Sequence, residues 1–443
     1  ELQSAIYFVR EYNIWSMKNE KKYTADIENF TSTQSLINAV ARTMNIINAE
    51  VEDHHEQVAY LSFFIAKEMG LSDDELSLCI YAALLHDIGV ILTDDPGPIY
   101  EIEKVAGRVA KAGAYVLSDL EGYEEIARVI SISQDSWYKI ENDDSQPENY
   151  RRIAAIIHLA DRVSLVFDNK KPILNQVGNV RHLIECDTYG EFLPEACTAL
   201  LNISDREFMW LDLELNPQFL KYFTGHMQTV SLNEAALLAK IMSRMIDFRS
   251  AFTAMHSAGV AASASVLATL SGMSPVECQM MNIAGLVHDI GKLKINRKIL
   301  EKPGKLTEAE YNIIKEHPYY TSLILMDVDG FEKIREWAGF HHEKLNGKGY
   351  PFHFSGSDLD TGSRILAIAD IFSALTEERP YRTGISRQEA LKILYQSEKA
   401  GELSGDIISL LSENYSMVND ARDQASREIG QRYFDSLNSM RQP

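Results

Sequence analysis

The chain has 443 residues, of which 45% are apolar and 24% are charged. This composition is typical of a soluble globular protein, and the length predicts about two to four domains, each long enough to bury a core. Acidic residues outnumber basic ones by 64 to 43, which gives a formal charge of −21. This balance argues against duplex nucleic acid or an anionic membrane surface as the main partner, because such binding depends on basic patches.

The sequence shows none of the usual signs of membrane insertion, export or disulfide bonding. No apolar run approaches the roughly 18 residues of a membrane span, and the first residues do not form a signal peptide. The four cysteines show no CxxC spacing, which argues against a zinc knuckle and against a disulfide framework. We therefore expect a cytoplasmic protein without a membrane span.

Helical periodicity dominates the chain. Apolar residues recur at positions i, i+3, i+4 and i+7, the pattern of an amphipathic helix, in residues 58–70, 79–89, 151–167, 234–246 and 364–378. Alternating patterns are rare, and residues 210–217 are the best candidate for a strand. The sequence therefore predicts an all-α fold.

An internal repeat divides the chain. The spacing from His54 to His86 equals that from His256 to His288, and an aspartate follows the later histidine in both halves. The matched stretches, in the same order in both halves, are 54–58 and 256–260, 84–89 and 286–291, 119–130 and 327–338, and 156–167 and 365–376.

The repeat predicts two tandem helical domains of one type. We place the first at residues 35–170 and the second at residues 240–443. Residues 1–34 then form an N-terminal segment, and residues 171–239 join the two domains.

The second half concentrates residues that bind transition metals: His256, His288, Asp289, His317, His341, His342 and Asp370. Imidazole and carboxylate groups both coordinate first-row transition metals. Five histidines and two aspartates exceed the needs of one four-coordinate site. The set therefore predicts two octahedral metals that Asp289 can bridge, an arrangement that generates a hydroxide and holds a phosphate during in-line attack. We interpret the histidines outside these motifs as structural or surface residues: His158, His182, His226 and His353.

A basic run follows the second His-Asp pair. Residues 292–305 contain six basic residues and one acidic residue. Two interpretations stay open: an ordinary solvated surface, or a positive rim that attracts an anionic substrate to a protein of negative net charge.

The motifs of the second half resemble those of the HD-GYP phosphodiesterases, a branch of the HD superfamily of metal-dependent phosphohydrolases. The resemblance covers about residues 247–400 and rests on HDIGK (288–292), HP (317–318), HHEKLNGKGYP (341–351) and RPYR (379–382). It implies an all-helical domain with a two- or three-metal centre, usually of iron or manganese, although nickel or zinc also accepts such ligands. It also implies hydrolysis of a bacterial cyclic dinucleotide, cyclic di-GMP and/or 3′3′-cGAMP, to the linear dinucleotide.

The resemblance also implies roles for individual residues. Asp289 would bridge the metals and take part in catalysis, and Lys292 would act with it by binding a substrate phosphate. Tyr350, Arg379 and Arg382 would also bind the substrate. The implied metal ligands are His256, His288, Asp289, His317, His341, His342 and Asp370.

Two neighbouring positions refine this expectation. Three-metal members of the family carry a glutamate one turn before the first histidine, where this chain has Phe252. Phenylalanine cannot ligate a metal, so we expect two metals. We expect Glu343 to orient His341 or His342 from outside the coordination shell.

By the same comparison the first repeat is degenerate. Val90 stands in place of Lys292, Gln134 and Asp135 stand in place of the adjacent histidines, and no histidine matches His317. We expect this domain to be inactive as an enzyme. It either binds one metal or serves in packing, dimerisation or regulation, and the ligands it retains are His54, His86, Asp87 and Asp161.

Two other functions stay open for the whole chain. One is a different nucleotide phosphohydrolase of the HD superfamily, although the glycine-rich signature after His342 argues against it. The other is a non-catalytic scaffold that binds signalling proteins or a second copy of the chain.

Overall fold

The computed structural model describes residues 30–32, 54–92, 106–118, 122–168, 170–185, 190–214, 229–249, 254–302, 304–326, 328–377 and 384–440, with isolated positions between 35 and 44. Most of these residues are helical, which confirms the predicted all-α class. Two strands of two residues each, β1 (Thr31–Ser32) and β2 (Thr229–Val230), pair antiparallel. None of the helices in these ranges is long and apolar enough to cross a bilayer.

The first repeat forms a cluster of helices with a buried apolar centre. Helices α1, α2, α4 and α6 pack against one another, and a 3₁₀ turn, Ile88–Leu92, follows α2. The joining segment adds a 3₁₀ turn, Ile173–Asn175, and three helices. In chain order the helices are α1 (His54–Glu68), α2 (Asp73–Leu85), α3 (Ala106–Ser118), α4 (Glu124–Ile132), α5 (Trp137–Ile140), α6 (Glu148–Ser164), α7 (Val177–Glu185), α8 (Pro194–Ile203) and α9 (Glu207–Glu214).

The second repeat has the same arrangement with additional helices at both ends. Helix α11 packs against α12, α17 and the C-terminal helix α20, and a 3₁₀ turn, Ile290–Lys294, follows α12. The helices are α10 (Leu232–Arg249), α11 (Ala254–Leu270), α12 (Pro275–Val287), α13 (Arg297–Leu300), α14 (Glu308–Ile314), α15 (His317–Leu325), α16 (Glu332–Gly339), α17 (Thr361–Thr376), α18 (Arg387–Lys399), α19 (Gly405–Glu413) and α20 (Tyr415–Met440).

The helices that precede the two His-Asp pairs begin and end alike. At the start of α2, the Ser72 hydroxyl accepts from the Glu75 backbone N–H, and the Glu75 carboxylate accepts from the Ser72 backbone N–H. Ser274 and Glu277 make the same reciprocal cap on α12. Such a cap satisfies N–H groups that a helix leaves unpaired. Each helix then ends directly before the histidine of its pair. The helix therefore fixes the position of the His-Asp pair in each domain.

Helix α10 lies between the two domains. It packs against both 3₁₀ turns that follow the His-Asp pairs, and its buried side chains include Leu238, Ile241 and Met245. The predicted boundary at residue 240 falls inside this helix. Residues 30–32 also lie near the second domain, since the ring of Phe30 is 5.8 Å from that of Phe331.

The predicted strand at residues 210–217 is wrong for the residues that the structure describes. Helix α9 covers this stretch as far as Glu214. The indole N–H of Trp210 donates to the carbonyl oxygen of Ser204 at 2.8 Å. The apolar spacing therefore fits one buried helical face, formed by Met209, Trp210 and Leu213.

Candidate metal centre

The second domain brings its seven predicted metal ligands into one cluster. All are buried except His342, which is partly exposed. The helices that pack around α11 bring together residues that lie far apart in the sequence. The ligands come from α11 (His256), the residues directly after α12 (His288 and Asp289), the start of α15 (His317), the residues shortly after α16 (His341 and His342) and α17 (Asp370).

The first group of ligand atoms converges on one carboxylate oxygen. Nε2 of His256 lies 3.0 Å from Oδ1 of Asp370, and Nε2 of His288 lies 3.8 Å from the same oxygen. The ligand atoms of the three residues all lie within 4.8 Å of one another. Two imidazoles and a carboxylate at this spacing can share one transition-metal ion.

Backbone carbonyls fix the orientation of the remaining buried imidazoles. Nδ1 of His288, His317 and His341 each lies within hydrogen-bond distance of the carbonyl three residues earlier, at 2.8, 2.7 and 2.6 Å. A carbonyl oxygen only accepts, so each Nδ1 carries the proton. Nε2 of each ring therefore presents a lone pair toward the centre.

The second group of ligand atoms is formed by histidines alone. Nε2 of His317 lies 3.2 Å from Nε2 of His341, and His342 completes a set whose ligand atoms lie within 4.8 Å of one another. Because both Nδ1 atoms carry the proton, the two facing Nε2 atoms are both acceptors. Two lone pairs at this distance repel each other unless a cation lies between them, so this triad fits a metal.

Asp289 lies between the two groups. One of its oxygens is 3.4 Å from Nε2 of His288, and the other is 3.2 Å from Nε2 of His317 and 3.8 Å from that of His341. Burial opposes ionisation of this carboxyl, but His288 and Lys292 outweigh burial and hold its pKa well below the usual range. Asp289 is therefore an anion with one oxygen toward each group, as a bridging ligand requires.

His256 has a different outer partner, which the sequence comparison missed. Its Nδ1 lies 3.2 Å from Oε2 of Glu377, and both side chains are only 6% exposed. Glu377 follows the last residue of α17, two turns beyond Asp370. A carboxylate at this position orients the ring and raises the basicity of the ligating nitrogen.

The two groups differ in how readily they take up a metal. Burial lowers the pKa of His342 to about 3 and the pKa of His341 well below its usual range, so both rings are neutral near pH 7. Burial also lowers the pKa of His256, but the carboxylates of Asp370 and Glu377 outweigh it and raise this pKa to about 9. A cation that binds the first group must therefore displace a proton.

One buried atom supports the metal assignment independently. Nε2 of His288 is buried and makes no hydrogen bond to any residue that the structure describes. An unsatisfied buried nitrogen costs roughly 1–3 kcal/mol, and a bound cation removes this cost. The donor set therefore fits divalent metals.

Two of the predicted substrate-binding residues lie beside this centre. The ammonium group of Lys292 lies 2.5 Å from Asp289 and its side chain is 22% exposed. The ring of Tyr350 lies 4.9 Å from that of His342. The predicted contacts Arg379 and Arg382 lie outside the described residues, as does Phe252.

The expectation for Glu343 is wrong. Its carboxylate accepts hydrogen bonds from the backbone N–H groups of Phe352, His353 and Phe354, at 2.7, 3.2 and 3.1 Å. Glu343 therefore anchors the loop that follows Tyr350, and does not orient His341 or His342. Only the folded loop reveals this role, because the acceptor and its donors are about ten residues apart.

Two glycines occupy equivalent positions in the two domains. A methyl group on Gly291 would lie 2.0 Å from the carbonyl oxygen of His317, and one on Gly89 would lie 2.0 Å from that of Val109. The 3₁₀ turn after each His-Asp pair therefore packs directly on a later helix, α3 in the first domain and α15 in the second. Val109 is thus the structural counterpart of His317, which the sequence alone did not identify.

The first domain keeps one of the two ligand groups. Nε2 of His54 lies 3.2 Å from Oδ1 of Asp161, and Nε2 of His86 lies 3.4 Å from Oδ2 of Asp87. Nδ1 of His86 donates to the carbonyl of Ala83 at 2.6 Å, as in the second domain. These four residues can hold one cation.

The second group of the first domain has been replaced. Gln134, which aligns with His341, donates from Nε2 to Oδ2 of Asp161 at 3.0 Å. Arg162 in turn donates to Oε1 of Gln134 at 2.8 Å. Val109 and Gln134 offer no imidazole for a second metal.

Comparison with known proteins gives a consistent assignment. Residues 51–165 and 240–403 each match the HD domain family. The 3′3′-cGAMP-specific phosphodiesterase 1 of Vibrio cholerae is 30% identical over 420 residues, which cover 90% of this chain and 96% of that protein. Phosphodiesterase 3 of the same specificity and organism is 32% identical over 327 residues, 68% of this chain and 65% of that protein. A cyclic di-GMP phosphodiesterase of Pseudomonas aeruginosa is 33% identical over 158 residues, 35% of this chain and 37% of that protein.

A solved structure shares the fold. The crystal structure of a cyclic GMP-AMP-specific phosphodiesterase of Vibrio cholerae superimposes with a TM-score of 0.60 at 20% identity, covering 87% of this chain and 98% of that one. Both HD regions and nearly the whole length of the first relative are therefore accounted for. The chain belongs to the HD-GYP phosphodiesterase family, with an HD domain ahead of the HD-GYP domain.

Proposed function

We propose that the chain is a metal-dependent phosphodiesterase that opens the ring of a cyclic dinucleotide, with 3′3′-cGAMP as the preferred substrate and cyclic di-GMP as the second. The observation that carries the proposal is Asp289, whose two oxygens face two separate groups of metal-ligating side chains. A carboxylate shared in this way is suited to a two-metal hydrolase of phosphate esters.

The relatives favour 3′3′-cGAMP. The relative matched over 96% of its length acts on 3′3′-cGAMP by name, and so does one matched over 65%. The cyclic di-GMP phosphodiesterase of Pseudomonas aeruginosa matches over only 37% of its length. Similarity that extends through both domains is the stronger guide to substrate choice.

The proposed centre holds two divalent cations, iron or manganese before nickel or zinc. One would be bound by His256, His288 and Asp370, and the other by His317, His341 and His342, with Asp289 between them. When bound, such cations supply Lewis acidity that activates water and offsets charge on the phosphate. Two are proposed because Phe252 replaces the glutamate of three-metal relatives.

The side chains around the centre would bind and orient the substrate. Lys292 would neutralise charge on a non-bridging phosphate oxygen. Burial raises the pKa of Tyr350, so its hydroxyl stays protonated and can donate a hydrogen bond. Arg379 and Arg382 are proposed to bind the second phosphate. Hydrolysis then adds water across one P–O3′ bond and releases the linear dinucleotide.

The first domain is proposed to be non-catalytic, because it lacks counterparts of Lys292, His317, His341 and His342. The proposed domain limits are residues 35–170 and 240–443, with 171–239 between them. A role in dimerisation or in binding a signalling protein would suit such a domain. We also propose a cytoplasmic location, because the spacing of the four cysteines does not predict a disulfide framework.

Metal analysis and product chromatography test the proposal together. The purified chain is incubated with 3′3′-cGAMP or cyclic di-GMP, and the metal content is measured in parallel. We expect linear dinucleotide from the wild type, and loss of both turnover and bound metal in His288→Ala and Asp289→Ala. His182 lies exposed in the joining segment and gives the control, His182→Ala, which should keep both turnover and bound metal.

Other outcomes would redirect the assignment. Bound metal with both dinucleotides intact would indicate another nucleotide phosphohydrolase. Intact substrates without bound metal, even after reconstitution, would favour a scaffold. Full turnover in both His288→Ala and Asp289→Ala would refute the proposed centre.

A further inference from the structure

We infer that Tyr311 forms a stacking subsite for one purine base of the cyclic dinucleotide, beside the metal centre. The inference rests on the proposed function and deepens it, because it identifies a residue that binds the base rather than the phosphate. Tyr311 lies on α14, three residues before the end of that helix.

A continuous series of rings connects Tyr311 with the buried metal ligands. The ring of His342 lies 5.0 Å from that of His317 and 4.9 Å from that of Tyr350. The ring of Tyr350 lies 6.5 Å from that of Tyr311, edge to face. Two ring contacts therefore separate Tyr311 from a predicted metal ligand, a span that one nucleoside can bridge while its phosphate stays at the centre.

Tyr311 is exposed although its neighbours in this series are not. Its side chain is 46% exposed, whereas His317 is fully buried and Tyr350 partly buried. An aromatic ring gains most of its stabilising free energy from burial. Exposure of this ring next to a hydrolytic centre therefore indicates a surface that a planar ligand covers.

The ring of Tyr311 contacts that of Tyr350 before any ligand binds, with the ring centroids 6.5 Å apart. Helix α14 itself is anchored by a reciprocal cap between Thr307 and Glu310, and Lys302 pairs with Glu310 at 2.6 Å. A preorganised aromatic side chain loses little conformational entropy when a base stacks on it.

The charge around Tyr311 suits a nucleotide. The ammonium group of Lys315 lies 5.5 Å from the centroid of the Tyr311 ring. Cations interleaved with aromatic rings are the combination that binds bases and phosphates together. A purine is therefore favoured over a peptide or an acyl group as the occupant.

Kinetics of three variants test the subsite. Tyr311→Ala removes the ring, Tyr311→Phe keeps the ring but loses the hydroxyl, and Tyr138→Ala removes an aromatic side chain that is 74% exposed in the first domain. The substrates are 3′3′-cGAMP, cyclic di-GMP and bis(p-nitrophenyl) phosphate, a phosphodiester without a purine.

Base stacking contributes roughly 1–3 kcal/mol per base, so Tyr311→Ala should raise KM for a cyclic dinucleotide about 5- to 150-fold. Turnover of bis(p-nitrophenyl) phosphate should stay at the wild-type level in Tyr311→Ala. Tyr311→Phe and Tyr138→Ala should match the wild type on all substrates. An unchanged KM in Tyr311→Ala, or an equal loss on bis(p-nitrophenyl) phosphate, would overturn the inference.

Binding of GMP separates this inference from the proposed function. A wild type that cleaves only bis(p-nitrophenyl) phosphate would refute the proposed substrates. If GMP then binds more weakly to Tyr311→Ala than to the wild type, the stacking subsite stands by itself. Equal binding, or no binding to either protein, would overturn it.

Discussion

Glu377 should set the metal affinity of one half of the centre. Its carboxylate holds Nδ1 of His256 at 3.2 Å in a buried environment. Loss of such an outer partner weakens metal binding by about 10- to 100-fold, or about 1.4–2.7 kcal/mol. Glu377→Gln keeps a neutral acceptor, so we expect a loss of about tenfold. Glu377→Ala leaves Nδ1 unpaired, so we expect the loss to approach 100-fold.

The loss of affinity is measured by calorimetric titration with Mn²⁺ after a chelator has removed the metal from the protein. Glu377 pairs with His256, a ligand of the first group, so we expect only that class of site to weaken. Proton release gives a second readout: Glu377 helps to raise the pKa of His256, so Glu377→Gln should release fewer protons near pH 7.5 when metal binds. Glu413→Gln, at the exposed end of α19, is the control.

The reasoning would be refuted by two results. One is an affinity within twofold of the wild type for both Glu377→Gln and Glu377→Ala. The other is equal weakening of both classes of site, which would indicate a general loss of structure instead of a local effect on His256.

Three further outcomes are expected. Gly291→Ala should lower turnover by at least tenfold and reduce bound metal, because its methyl group would lie 2.0 Å from the backbone of α15. Circular dichroism and metal analysis measure the effect. The control is Gly178→Ala, whose methyl group would meet no atom within 4 Å. The double variant His86→Ala/Asp87→Ala should keep kcat/KM within about tenfold, about 1.4 kcal/mol in barrier, since these residues lie outside the second centre; complete loss of activity in a folded protein would contradict this. In the metal-free protein the pKa values of His256 and His86 are about 9, above the unfolded value of about 6.5. The protonated rings stabilise the folded state below pH 6.5, and this contribution is lost as the pH rises to 9. The urea concentration at the midpoint of unfolding should therefore fall between pH 6.5 and pH 9. A midpoint that stays constant or rises would contradict the raised pKa values of His256 and His86.

Much of the centre was predictable because its ligands lie in short motifs. A His-Asp pair at the end of a helix and two adjacent histidines need only local geometry to present their side chains. The internal repeat identified His256 and Asp370, because it aligned them with His54 and Asp161. The structure places these residues within a few ångströms of one another.

The partners that act on these ligands were not predictable in the same way. Glu377 is one of 64 acidic residues, and only the packing of α17 against α11 brings it to His256. The backbone donors to Glu343 carry no side-chain signal at all. The error at residues 210–217 has a related cause, because a short alternating pattern also fits a short helix with one apolar face.

The two domains show which parts of the motif serve the fold and which serve the chemistry. Gly89 and Gly291 both allow a 3₁₀ turn to contact a later helix, at Val109 on α3 and at His317 on α15. The glycine is therefore needed whether or not the contacted residue is a ligand. The sequence HDIG accordingly indicates this packing in both domains, and it does not by itself indicate catalysis. The residues that would distinguish the proposed two-metal centre from its degenerate copy lie beyond this motif, at the start of the contacted helix and in the paired histidines.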